Sequence, residues 1–118
     1  MKVLIVDDSA VMRLMVKKIV KAAGFDAEFV EAEDGIQGLE KIESESPGLV
    51  LCDWNMPNMT GIELLEKLRE VGISVNFGFV TTEASEAMRT RAREAGAKFL
   101  VSKPFTEESM RSALQPYF

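Results

Sequence analysis

Two adjacent carboxylates, Asp7 and Asp8, close the apolar run VLIV, and a third, Asp53, closes a second run, LVLC. Like charges at the rim of a core repel each other and lose hydration, so this arrangement is costly unless a positive group sits among them. Two further apolar runs end in polar groups, one in Thr81 and Thr82, the other in Ser102, Lys103 and Pro104. Three carboxylates brought together call for a hard divalent cation. The chain has no histidine and one cysteine, so oxygen donors favour Mg²⁺ over Zn²⁺. A lysine ammonium and a hydroxyl facing that cation complete a pocket for a phosphoryl group, with positive charge on two sides and a hydrogen-bond donor on a third. In such a pocket Asp53 can act as a nucleophile toward phosphorus.

This chemistry needs elements that bring four strand ends to one edge. Five short apolar runs, residues 3–6, 27–30, 49–52, 77–80 and 99–101, alternate with stretches of helical periodicity. Single helices between strands require right-handed crossovers, which give a parallel sheet covered on both faces. Ligands then sit at the carboxyl ends of the strands, where the winding reverses. Glu28 and Glu31 flank the apolar positions of the second run, placing it at an edge, and it brings no comparable polar group to the site. Met12, Met15, Val16, Ile19, Val20 and Ala23 form one stripe on the first helix, with the methionines as core filler. Leu64, Leu65, Leu68 and Val71 mark the third helix, and Ala84, Ala87, Met88, Arg91, Ala92 and Ala95 the fourth. Thr60 with Glu63 has the capping-box pattern, and Asp34 with Gln37 is a weaker version. Gly24, Gly72 and Gly96 are placed to end helices in the left-handed conformation, while Pro47 and Pro116 limit the second and fifth helices.

Composition narrows the function. A chain of 118 residues, 47% hydrophobic and 28% charged, suits one domain with a single core and leaves no room for a second. No apolar run approaches a membrane span and no signal-peptide pattern follows Met1, so a soluble, cytoplasmic protein without a membrane partner is expected. Cys52 lies inside an apolar run and reads as a buried, inert thiol. The net charge of −5 argues against nucleic acid as the main partner.

The segments VLIVDDSAVMR, VLCDWNMPNMTGIELL, VTTEAS and KPF together resemble the receiver domain of two-component response regulators, most of all the single-domain chemotaxis type. The resemblance covers essentially the whole chain, residues 1–118, as one receiver domain. It implies a doubly wound, flavodoxin-like (βα)5 α/β fold with strand order 2-1-3-4-5. Asp53 is then the phosphoacceptor for a sensor histidine kinase. Mg²⁺, with Mn²⁺ as a substitute, is held by the carboxylates of Asp8 and Asp53, by Asp7 through water and by the backbone carbonyl of Asn55. Thr81 swings its hydroxyl toward the phosphoryl group, Lys103 pairs with a phosphoryl oxygen, and Lys103-Pro104 is a candidate cis bond. Asn55 and Glu83 occupy positions that tune the attack of water. The implied protein is no metabolic enzyme: it takes phosphoryl groups, also from small donors, loses them by its own hydrolysis, and signals through its altered surface. No output domain follows in the sequence, which leaves a protein target such as a flagellar motor switch component, bound through helix four, strand five and helix five, with a phosphatase as a further partner.

Two positions depart from the family pattern. Leu100 stands where the chemotaxis type usually has an aromatic, with Phe99 expected on the opposite face, and Thr82 is bulkier than the usual residue there. Rival readings are a phosphorelay intermediate, a phosphate-independent adaptor, and an aspartyl phosphohydrolase of the haloacid-dehalogenase type. The last wants an acid two residues after its nucleophile, where this chain has Asn55, and it lacks a cap insertion. Singly, Asp7 and Asp8 could be dipole-favoured helix-start carboxylates, Asp53 a strand-end cap and Lys103 a solvated lysine; their joint placement decides against this. Arg89, Arg91 and Arg93 read as a solvated basic face, with an acidic partner segment as the alternative. Trp54 reads as a partly exposed packing residue; Tyr117 and Phe118 either pack back or extend as an apolar tail.

Overall fold

The computed structural model describes residues 1–82 and 85–118. Five strands, β1 (Lys2–Val6), β2 (Glu28–Ala32), β3 (Leu49–Cys52), β4 (Phe77–Thr81) and β5 (Phe99–Ser102), form one parallel sheet in the order β2-β1-β3-β4-β5. Between and after them run α1 (Ala10–Ala22), α2 (Gly35–Glu45), α3 (Gly61–Glu70), α4 (Glu86–Ala95) and α5 (Glu107–Leu114), followed by a 3₁₀ turn at Gln115–Tyr117. The fold is the expected doubly wound one, with β2 at an edge. The winding direction reverses between β1 and β3, which opens a crevice at their carboxyl ends.

Alternation along the strands builds two cores. Leu4, Val6, Val50, Cys52, Phe77 and Phe79 face α2, α3 and α4, while Val3, Ile5, Leu49, Leu51 and Val80 face α1 and α5. Leu100 and Phe99 divide in the same way, one to each side. Caps fix the helix starts: Thr60 and Glu63 complete their box, and Asp34 accepts from the Gln37 amide. Ser9, Ser85 and Thr106 cap α1, α4 and α5 without having been singled out in the sequence. Gly24, Gly72 and Gly96 take φ of 98°, 78° and 105° at helix ends, and the Lys103-Pro104 bond is cis.

Several expectations fail locally. The buried line of α1 runs through Arg13, Val16 and Val20, and Met15 is 49% exposed, so that methionine is not core filler. Arg13 is drawn inward by partners just past the end of β1 and on β2, and Met15, two positions away on the helix, is carried to the outer side. Val71 caps α3 at the surface and is 49% exposed. On α4 only Ala92 and Ala95 are buried; Arg91 turns outward to Glu66 at 3.5 Å, and Ala84 lies outside the described residues. Trp54 is buried rather than partly exposed, its ring 4.8 Å from that of Phe79. The carboxyl-terminal residues pack back: Phe118 lies 4.5 Å from Phe25 and Tyr117 5.6 Å from Phe99, between ring centroids. Among the described residues no helix is long and apolar enough to cross a membrane.

Candidate functional site at the carboxyl ends of the strands

Strand pairing alone brings the polar residues together. The Asp53 amide donates to the Val6 carbonyl, linking the ends of β3 and β1, and the Lys103 amide donates to Thr81, linking the ends of β5 and β4. Asp7, Asp8 and Asp53 each offer a carboxylate oxygen within 4.8 Å of the others. Lys103 is the positive group among them: its Nζ lies 3.3 Å from Asp7 Oδ2 and 3.6 Å from Asp53 Oδ1.

Each carboxylate is fixed differently. Asp7 is buried; its amide donates to the Ala32 carbonyl and its Oδ1 accepts from the Ser9 amide at 2.9 Å. Asp8 is exposed at the mouth. Asp53 is half-buried and its Oδ1 accepts from the Trp54 amide at 2.9 Å. Burial lifts the Asp53 carboxyl above the ordinary carboxylate range; Lys103 and the Trp54 amide oppose this, and the charges of Asp7 and Asp8 reinforce it. Cys52 is fully buried next door, donating to the Asp53 carbonyl, and burial pushes its thiol well up, as an inert thiol requires.

The donor set fits a hard cation. All three groups are carboxylates, no histidine or cysteine sulfur competes, and their oxygens lie close enough together to share one ion. Thr81 is fully buried at the end of β4, Thr82 is exposed, and Asn55 is exposed in the loop after Asp53. Glu83 lies outside the described residues. Leu100 packs under α4 on the core side of the sheet, two register steps before the Thr81–Ser102 pair.

Sequence reasoning missed what holds the acceptor loop. Gly61 is required because a Cβ there would lie 2.2 Å from the Asp53 carbonyl oxygen, and its amide closes the loop onto Trp54. Asn58, in the left-handed region at φ 67°, donates to Asp34 Oδ2 at 2.8 Å, so the start of α2 grips the loop. Arg13 was missed as well, although an arginine beside an apolar stripe is a signal that can be read.

The comparisons with known proteins agree with this geometry. The chain is 36% identical over 113 residues to the chemotaxis protein CheY of Bacillus subtilis, covering 96% of this chain and 93% of that one. It is 35% identical over 118 residues to CheY1 of Helicobacter pylori, covering 98% and 94%. The solved structure of Vibrio cholerae chemotaxis protein CheY4 matches with a TM-score of 0.84 at 33% identity, over 99% of this chain and 98% of that chain. The family model for the response regulator receiver domain matches residues 3–115. With that match spanning nearly the whole chain and the strand-end carboxylates in place, the chain belongs to the response regulator receiver family, whose members act in two-component signalling as phosphoacceptors rather than metabolic enzymes.

Proposed function

We propose that Asp53 accepts a phosphoryl group from a histidine kinase in a Mg²⁺-dependent reaction and that the phosphorylated surface binds a protein target in chemotaxis. The observation that carries this reading is the convergence of Asp7, Asp8, Asp53 and Lys103. One Asp53 oxygen attacks phosphorus; the P–O bond forms as the P–N bond of the phosphohistidine breaks, and the freed imidazole nitrogen takes a proton. The carboxylates of Asp8 and Asp53 and the Asn55 carbonyl would hold Mg²⁺, with Asp7 acting through water, and the ion would supply charge neutralisation for the phosphoryl oxygens. Lys103 holds one phosphoryl oxygen and Thr81 donates its hydroxyl to another. Hydrolysis returns Asp53 and orthophosphate, at a rate tuned from the positions of Asn55 and Glu83.

The names of the relatives from Bacillus subtilis and Helicobacter pylori support chemotaxis as the setting, with a flagellar motor switch component as the target class. The face formed by α4, β5 and α5 supports a docking role: Arg89, Leu100, Ser102 and Thr106 line a groove there, beside the exposed arginines of α4. Intact-protein mass after incubation with acetyl phosphate tests the chemistry. A single phosphoryl adduct is expected that needs Mg²⁺ and is lost in Asp53→Asn; equal labelling of the variant, or labelling with metal chelated, overturns the reading.

A further inference from the structure

Arg13 is only 9% exposed, on the side of α1 that Val16 and Val20 continue inward. A buried guanidinium is costly unless its donors are matched. Here Nε donates to Glu31 Oε1 at 2.9 Å, and the second oxygen of Glu31 takes Lys17 Nζ at 2.9 Å. That pair satisfies the charge at the rim of the sheet. The other bond has a different destination: Nη1 donates to the main-chain carbonyl of Asp7 at 2.6 Å. That carbonyl belongs to the peptide joining Asp7 to Asp8, so the guanidinium fixes the plane from which both carboxylates project. Lys103 and Ser9 hold the Asp7 carboxylate itself, whereas exposed Asp8 takes its direction from the backbone that carries it.

We propose that Arg13 is a positioning residue for the cation site, acting through the Asp7 carbonyl, with Glu31 balancing the charge of the guanidinium rather than aiming it. The inference rests on the reading of Asp7, Asp8 and Asp53 as a Mg²⁺ site. Ligand-orienting groups one step removed from a metal typically change its affinity by about 10- to 100-fold when removed.

The test is calorimetric titration with Mg²⁺ alone, run beside Mg²⁺-dependent labelling by acetyl phosphate and a metal-free thermal melt. Arg13→Gln is expected to weaken Mg²⁺ binding by about 10-fold or more. Its labelling at saturating Mg²⁺ should return to within about threefold of wild type, because only the metal constant is affected. Arg13→Lys, which keeps the charge but cannot span both acceptors, should fall between. Glu31→Gln removes the ion pair and leaves the carbonyl bond, so it should lower the melting point yet hold Mg²⁺ within about twofold of wild type. The proposal is overturned if folded Arg13→Gln binds Mg²⁺ as wild type does, or if Glu31→Gln weakens binding equally. Should Arg13→Gln not fold, Arg13→Lys and Glu31→Gln carry the comparison, and equal Mg²⁺ constants for those two overturn it. Wild type that neither binds Mg²⁺ nor labels would remove the parent reading and this one together; normal wild-type binding with no effect of Arg13 removes this one only.

Discussion

Asp53 stands in a site that works against its own ionisation while no cation is bound. Burial, with Asp7 and Asp8 beside it, raises its carboxyl above the usual range despite Lys103. The folded protein therefore holds that proton more tightly than the unfolded chain does. Between the ordinary carboxylate pKa and the raised one, the native state binds more protons, so stability falls as pH rises through that window and stays lowered above it. Removing the charge should remove the penalty. Asp53→Asn is expected to melt higher than wild type in chelator at neutral pH, with the difference shrinking as pH falls through that window and gone below about 4, the ordinary carboxylate range. Added Mg²⁺ should raise the wild-type melting point and move the variant far less. A variant that melts lower than wild type in chelator would show that the Lys103 attraction outweighs burial and repulsion.

At the scale of elements, the loop between β3 and α3 is held from outside by the start of α2. Asn58 combines a left-handed backbone with a hydrogen bond to a buried carboxylate, and burial against Met59 leaves no space for a side chain at Gly35. Asp34 is held below the usual carboxylate range, first by the Gln37 amide and then by Asn58. Asn58→Ala loses a bond to a charged acceptor and forces alanine into a disfavoured region, which together should cost about 2–4 kcal/mol, read as a lower urea midpoint. An unchanged midpoint would mean that the loop is held elsewhere. This clamp was not legible in the sequence, because a bond between residues 34 and 58 depends on how two loops meet in space. The strand-end carboxylates were legible, since parallel crossovers oblige all carboxyl ends to share one edge. Met15 and Trp54 were misread for a related reason. Periodicity locates an apolar stripe but not that Arg13 takes a place in its buried line, and it does not report the ring of Phe79 that covers Trp54.

For the molecule as a whole, the question is how an event at Asp53 reaches a surface a partner can bind. Among the described residues Lys103 both touches the carboxylate cluster and directly continues β5, whose Ser102 accepts from Arg89 of α4 at 3.5 Å. Its amide is tied to Thr81 as well, so β4 and β5 respond together if the ammonium moves. On the proposed reading, a phosphoryl group on Asp53 would give that ammonium a new anion and draw it from Asp7, and Leu100, packed beneath α4, is the contact through which β5 would pass the displacement on. On that reading the chemistry would proceed without the ammonium, but its consequence would not be transmitted. Lys103→Ala should therefore still acquire the acyl phosphate from acetyl phosphate, seen in the intact mass. Hydrogen exchange at α4 and β5 should change on phosphorylation in wild type and stay flat in the variant. Matching exchange changes in both proteins would place the transmission outside Lys103.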